Sequence, residues 1–337
     1  MGKYRIENEL IHKKSLGKNT LNSRIVRQGQ VTLGYATEVF HYTSPDGLMG
    51  ILKNREVFFT DSQYLNDYNE RFDINEELKY FWNTKYREYD KEFCLLIKNI
   101  YVDSHEDDNY ANIDTDTSEE SCRYFILSAS MDHDSLSLWK YYSKSGTYNG
   151  YSIGLFTPAL DDEWIDRNTG VAVETGLVIY SGNEKQERIC NMVEALYEVW
   201  CIYKRSTEMD QKICKDYKAW ISYASLFFKK QCFYAEEEMR FVAVVPESKL
   251  NNLFYETNDG RKIKMYDFRN VGGVITPYIK MPLFGWNNST SWITNRIVVG
   301  PCLDFLQKRD GVMRYIDALD YNFHEIAVKE SEIPVRY

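Results

Sequence analysis

Residues 38–61 read EVFHYTSPDGLMGILKNREVFFTD, and this stretch decides the fold class. Glu38 to Thr43 is dominated by β-formers and predicts a strand. Ser44-Pro45 has the composition of a helix cap and first turn, and Leu48, Ile51 and Leu52 fall on one helical face. VFFTD then returns to strand. Outward from this unit, RYFILSAS (123–130), GYSIGLF (150–156), MRFVAVV (239–245) and RIVVG (296–300) predict further strands, with a short helix at LSLWKYYS and a variable part containing VAVETGLVIY. Phe72, Leu78, Trp82, Tyr86, Tyr89, Phe93, Leu96 and Ile100 recur at helical spacing, and 186–234 is helical and rich in aromatic residues. Strands interrupted by long helical blocks predict an α+β protein with a mixed sheet. The expected organisation is an N-terminal arm over 1–36 and a single domain over 37–337, with helical insertions at about 68–101 and 186–234.

The 337 residues are 44% hydrophobic and include 27 Tyr, enough to build a sizeable core. A formal charge of -9 argues against a broad nucleic-acid surface, which needs many cations to replace phosphate counterions. The seven Cys are odd in number and form no CxxC pair, a pattern that fits free thiols in a reducing compartment. With no apolar run of membrane-spanning length and no apolar leader, a cytoplasmic protein without membrane contact is expected. Residues 103–121 are carboxylate-rich and read as a solvated loop.

Three constellations could carry chemistry. His41-Tyr42-Thr43 ends a strand just before a capped helix, where side chains and backbone amides border a crevice suited to a nucleotide; equally, His41 can be structural and Thr43 a cap. Ser128 and Ser130 share one face of a strand, and the following helix offers Trp139, Tyr141 and Tyr142 either for stacking on a flat heterocycle or for the core. Glu236 and Glu238, two residues apart at the head of a strand, can enter one cleft as a carboxylate pair, or form a solvated edge with Arg240 as ion-pair partner. Asp132, His133 and Asp134 are too close in sequence to converge on a metal, and no metal site is assigned.

In this order, HYT followed by GIL and a strand resembles the His-Gly-Ser/Thr signature of ADP-ribosyltransferases, with Tyr42 in the place of glycine. HYTSPDGLMGIL, Leu65-Asn66-Asp67 with Glu70, S-x-S with LWKYY, E-x-E-x-R and IVVGP also resemble a widespread bacterial family known only as domain of unknown function number twenty-nine seventy-one. That resemblance implies a split sheet, as two small sheets around a cleft that binds NAD as substrate. His41 and Thr43 would hold the ribose, the Tyr42 backbone the carboxamide, and Ser128 and Ser130 would buttress the cleft. Trp139 or Tyr142 would stack on nicotinamide, Glu238 would stabilise the oxocarbenium-like state, and Glu236 would position the acceptor. The implied activity is ADP-ribosyl transfer to a protein or RNA, as a toxin or anti-phage effector with an antitoxin or regulatory partner. A catalytically silent module binding a nucleotide or peptide in the same cleft is the alternative. A third reading makes the aromatic helices of 186–234 a partner surface. Asn66, Asp67 and Glu70 form a polar cluster with no role beyond loop capping or acceptor contact.

Overall fold

Alternating apolar residues carry most strands of this chain into one sheet, and the helices divide between that sheet and a core of their own. The computed structural model describes residues 38–65, 70–102, 122–142, 149–156, 169, 171–203, 206–257, 260–283, 293–319 and 326–334. The expected arm over 1–36, the acidic loop over 103–121, Asn66 and Asp67 lie outside the described residues. In chain order the elements begin with β1 (Glu38–Thr43), α1 (Pro45–Asn54), β2 (Glu56–Asp61), α2 (Asp73–Lys85) and α3 (Lys91–Ile97). They continue with β3 (Cys122–Ser130), α4 (Leu136–Tyr142), β4 (Tyr151–Phe156), β5 (Ala172–Leu177), α5 (Gly182–Ile202) and α6 (Thr207–Ala224). The last are β6 (Glu238–Pro246), β7 (Phe254–Glu256), β8 (Lys262–Lys264), β9 (Tyr266–Val271), β10 (Val274–Pro282), β11 (Ile293–Val299), α7 (Phe305–Ala318) and β12 (Ala327–Glu330).

Among the described residues, α2, α3, α5 and α6 form one compact unit and the strands with α1, α4 and α7 form the other. Within the helical unit, Leu78, Phe93, Leu196, Tyr217 and Trp220 are buried, and the Trp82 indole N–H donates to the Tyr217 hydroxyl at 3.2 Å. Trp200 is buried as well. The aromatic richness of 186–234 is therefore largely internal packing.

The chain is a mixed α+β protein with a large, mostly antiparallel sheet. Ten strands connect, in the order β12-β11-β4-β1-β3-β2-β10-β9, with β6 on β3 and β5 on β6; β7 and β8 form a separate hairpin. Ten of the strands are connected because β3 pairs with β1 as well as with β2. The shared core includes Val39, Phe59, Leu127, Ile153, Phe241 and Ile279, covered by Leu48, Ile51 and Leu52 of α1. These three are the apolar positions at helical spacing in the opening stretch. Ser44 caps α1 by accepting the Gly47 N–H at 3.1 Å, and Arg55 ends it in the left-handed region at φ 52. Among the described residues no helix is long and apolar enough to cross a membrane, and all seven cysteines are free thiols.

Candidate functional site

The pairing of β3 creates the opening that matters. One edge of β3 is paired with β6 along its whole length, from Cys122↔Pro246 to Ser130↔Glu238. Its other edge meets β2 at Phe125 and Ile126 and β1 at Ser130. Between those contacts the edge at residues 127–129 has no strand partner among the described residues, so β1 and β2 diverge and the sheet forks. Nδ1 of His41 lies 3.1 Å from the Ser128 carbonyl and occupies the hydrogen-bonding position a neighbouring strand would otherwise fill.

A cavity of about 420 Å³ sits in the fork, within the usual range for small-molecule sites. His41, Thr43, Phe58, Thr60, Ser128 and Arg269 are among its lining residues, with Gly47 and Gly50 of α1 beside them. Burial, reinforced by the positive charge of Arg269, lowers the His41 pKa below the usual imidazole value and outweighs the Ser128 carbonyl. His41 is therefore neutral at pH 7 and can donate through one ring nitrogen and accept through the other. Thr43 lies against the helix: a Cβ on Gly47 would lie 2.0 Å from its hydroxyl oxygen, so a larger residue there requires that hydroxyl to turn away.

The carboxylate pair borders a second, smaller opening that shares Tyr42 and Ser128 with the fork. Strand alternation puts His41 and Thr43 on the face that carries Val39; Glu238, aligned through Ser130 with Phe40, is on the opposite face, which also carries Ser128, Thr60 and Arg269 of the fork. There Phe40, Tyr42, Ser128, Ser130, Leu138, Glu236 and Glu238 border a recess of only about 20 Å³. Such a space holds about one water. Glu236 does not reach it by strand alternation, as the sequence reading expected. Residues 231–236 form a 3-10 turn, Glu237 adopts the left-handed conformation at φ 41, and β6 begins only at Glu238. Ser130 fastens this turn by donating its hydroxyl to the Glu236 carbonyl at 2.7 Å.

Both carboxylates belong to a buried ion cluster. Arg240 donates from Nε to one Glu238 oxygen at 2.7 Å and from a terminal nitrogen to the other at 3.1 Å, and it also holds Glu70. The Lys229 ammonium donates to Glu236 at 2.7 Å and to Glu238 at 2.9 Å, and lies 3.6 Å from Glu70. Burial alone would push Glu238 up, but Arg240 and Lys229 outweigh it and hold its pKa at about 2. Burial prevails at Glu236, whose pKa is raised despite Lys229. Glu70, which had no clear part in the sequence, is a member of this cluster.

The remaining sequence candidates divide between packing and the two openings. Tyr42 lines both openings, but its hydroxyl donates to the Asp132 carbonyl at 2.9 Å and accepts the Ser135 N–H at 2.7 Å, fastening the start of α4 to β1. Trp139 is 1% exposed, edge-on to Tyr42 with centroids 4.7 Å apart, and donates to Asp134 at 2.8 Å. It is a core residue, with no face open for stacking. Asp134 also accepts from Ser331 and Glu332, so it anchors the segment after β12. The side chain of Tyr142 lies outside the described atoms.

No protein-family model, curated protein or solved structure matches this chain. The cleft residue that the sequence reading missed is Arg269, on β9. Its Nε is buried without an acceptor, and a terminal nitrogen donates to Thr60 Oγ1 at 2.7 Å. The signal for its strand was present: NVGGVITP carries a Gly-Gly hairpin turn, and Gly272 and Gly273 do take positive φ, 59 and 92. Nothing local in the sequence links that hairpin to His41.

Proposed function

We propose that the protein binds a nucleotide-type ligand in the fork between β1 and β2. The observation that carries this reading is the contrast of sizes. The fork offers about 420 Å³ lined by a neutral imidazole, threonine hydroxyls and a guanidinium, whereas the recess at Glu238 offers about 20 Å³. A base and ribose need flat apolar walls with a few convergent polar groups, and Phe58, Ile126 and Leu127 supply the walls. His41 and Thr43 would hold the ribose hydroxyls. The test is calorimetry of the full chain with NAD, AMP, adenosine and nicotinamide mononucleotide. Saturable binding of at least one supports the reading, and a flat response to all four rejects it.

A second reading is ADP-ribosyl transfer from NAD to a protein or RNA acceptor, and one observation favours it. The strands bearing E-x-E, S-x-S and HYT stand side by side, in the order β6-β3-β1, although their motifs are far apart in sequence. Against it, Glu238 is fully engaged by two cations, so a ribose hydroxyl would have to displace one of them. This reading expects nicotinamide release from NAD in the presence of lysate, abolished in Glu238→Gln that still melts cooperatively. Release that persists in that variant rules out Glu238 as the catalytic carboxylate.

A further inference from the structure

Arg269 is the least explained charge in the fork. Its guanidinium lies 5.7 Å from the centroid of the Phe58 ring and 5.4 Å from that of Tyr278, so two aromatic rings hold it. Registers across β2, β10 and β9 explain the gathering: Tyr278 aligns with Thr60 and Thr276 with Arg269. Among the described residues Arg269 has no carboxylate partner. The acids that line the same cavity are Asp46 and Glu56; neither pairs with it, and Glu56 accepts from the Tyr255 hydroxyl instead. The buried Nε finds no acceptor among the described residues. A partly buried cation with a spare donor is costly unless an anion completes it. Ring contacts stabilise the charge but accept no in-plane hydrogen bond.

We propose that the fork carries a phosphate subsite, with Arg269 as its cation, positioned by Thr60 and by the Phe58 and Tyr278 rings. The ligand class is then a phosphorylated nucleoside, a monoester or diphosphate, whose anionic group meets Arg269 while its sugar lies toward His41 and Thr43. Phosphate suits a planar guanidinium, which can present two parallel N–H groups to two oxygens. Burial lowers the Arg269 pKa, which agrees with a desolvated cation awaiting a counter-charge.

This inference rests on the reading of the fork as a nucleotide site, and the experiment separates the two. AMP, adenosine and pyrophosphate are titrated calorimetrically into the full chain, wild type and the variants Arg269→Met, Arg269→Lys and Gly50→Trp, each first shown to melt cooperatively. The expected result is that AMP binds more tightly than adenosine and that pyrophosphate competes with AMP. Arg269→Met should weaken AMP by roughly 10- to 100-fold, the worth of one charged hydrogen-bonded contact, and leave adenosine unchanged. Arg269→Lys should recover part of the loss, and Gly50→Trp should block all three probes. Equal binding of AMP and adenosine, unaffected by Arg269→Met, overturns the phosphate subsite and leaves the nucleotide site standing. Binding of none of the three to the wild type overturns the phosphate subsite, and a flat response to NAD and nicotinamide mononucleotide as well overturns the nucleotide site.

Discussion

Buried to 5% exposure, Glu238 keeps its charge only because Arg240 and Lys229 stand within 3 Å of it. Its folded pKa, about 2, lies below the ordinary value of 4.5, so its contribution to stability is fully present above pH 4.5 and is lost as pH falls toward 2. The size of that contribution is on the order of 3 kcal/mol. Glu238→Gln should therefore lower the melting temperature at pH 7 and flatten the acid limb of the stability curve. Glu236 has the opposite sign: burial raises its pKa, so its charge is unfavourable at neutral pH, and Glu236→Gln should be close to neutral. Equal losses in the two variants would show that the cluster does not distinguish them. His41 adds a third titration. Its folded pKa is lowered, so below about pH 6.5 the unfolded chain takes up a proton that the folded chain refuses, and stability falls. Melting curves from pH 7.5 to 5.5 should show this slope in the wild type and lose it in His41→Gln. At this scale the sequence disclosed residue types well and partners poorly. Glu236 and Glu238 were legible as a pair, but the left-handed Glu237 that breaks their alternation was not, since it depends on the 3-10 turn before it. Arg240 was legible as an ion-pair partner, whereas Lys229 enters from an otherwise unmarked position.

The fork in the sheet depends on two elements, β1 with its capped helix α1, and the β9–β10 hairpin. α1 packs through Leu48, Ile51 and Leu52, while Gly47 allows Thr43 to lie against its first turn. Gly47→Ala should cost about 1–3 kcal/mol, the usual penalty for crowding a packed contact, measured by urea unfolding. Gly50→Ala, where a Cβ meets nothing, should be neutral or stabilising by up to about 1 kcal/mol through helix propensity. A loss of the same size in both would mean that the Thr43 contact is not what restricts Gly47. Strand, helix and strand over 38–61 were readable because alternation, capping and helical spacing are local. The pairing of β2 with β10, which brings Phe58 near Arg269, joins residues more than 200 positions apart and leaves no local trace.

At the scale of the molecule, the α+β class and the positions of the first strands followed from the sequence, because hydrophobic periodicity reports which faces are buried. The division of the described residues into a helical unit and a sheet unit follows from where apolar area closes on itself: the aromatic side chains of α2, α3, α5 and α6 pack together within one unit. The size of each opening was not legible, since it depends on the unpaired stretch of β3 and on volumes that exist only once the strands are registered. The motifs of the sequence drew attention to Glu238; the site proposed for the ligand is the larger fork, which shares Tyr42 and Ser128 with the recess at Glu238. The measurement that tests this most directly is calorimetric titration of NAD into the wild type and into Gly50→Trp, a variant that places an indole in the cavity without altering any polar group or the ion cluster. The expected result is saturable binding to the wild type and none to Gly50→Trp, with a melting temperature at least as high in the variant. Binding of undiminished affinity to Gly50→Trp would contradict it.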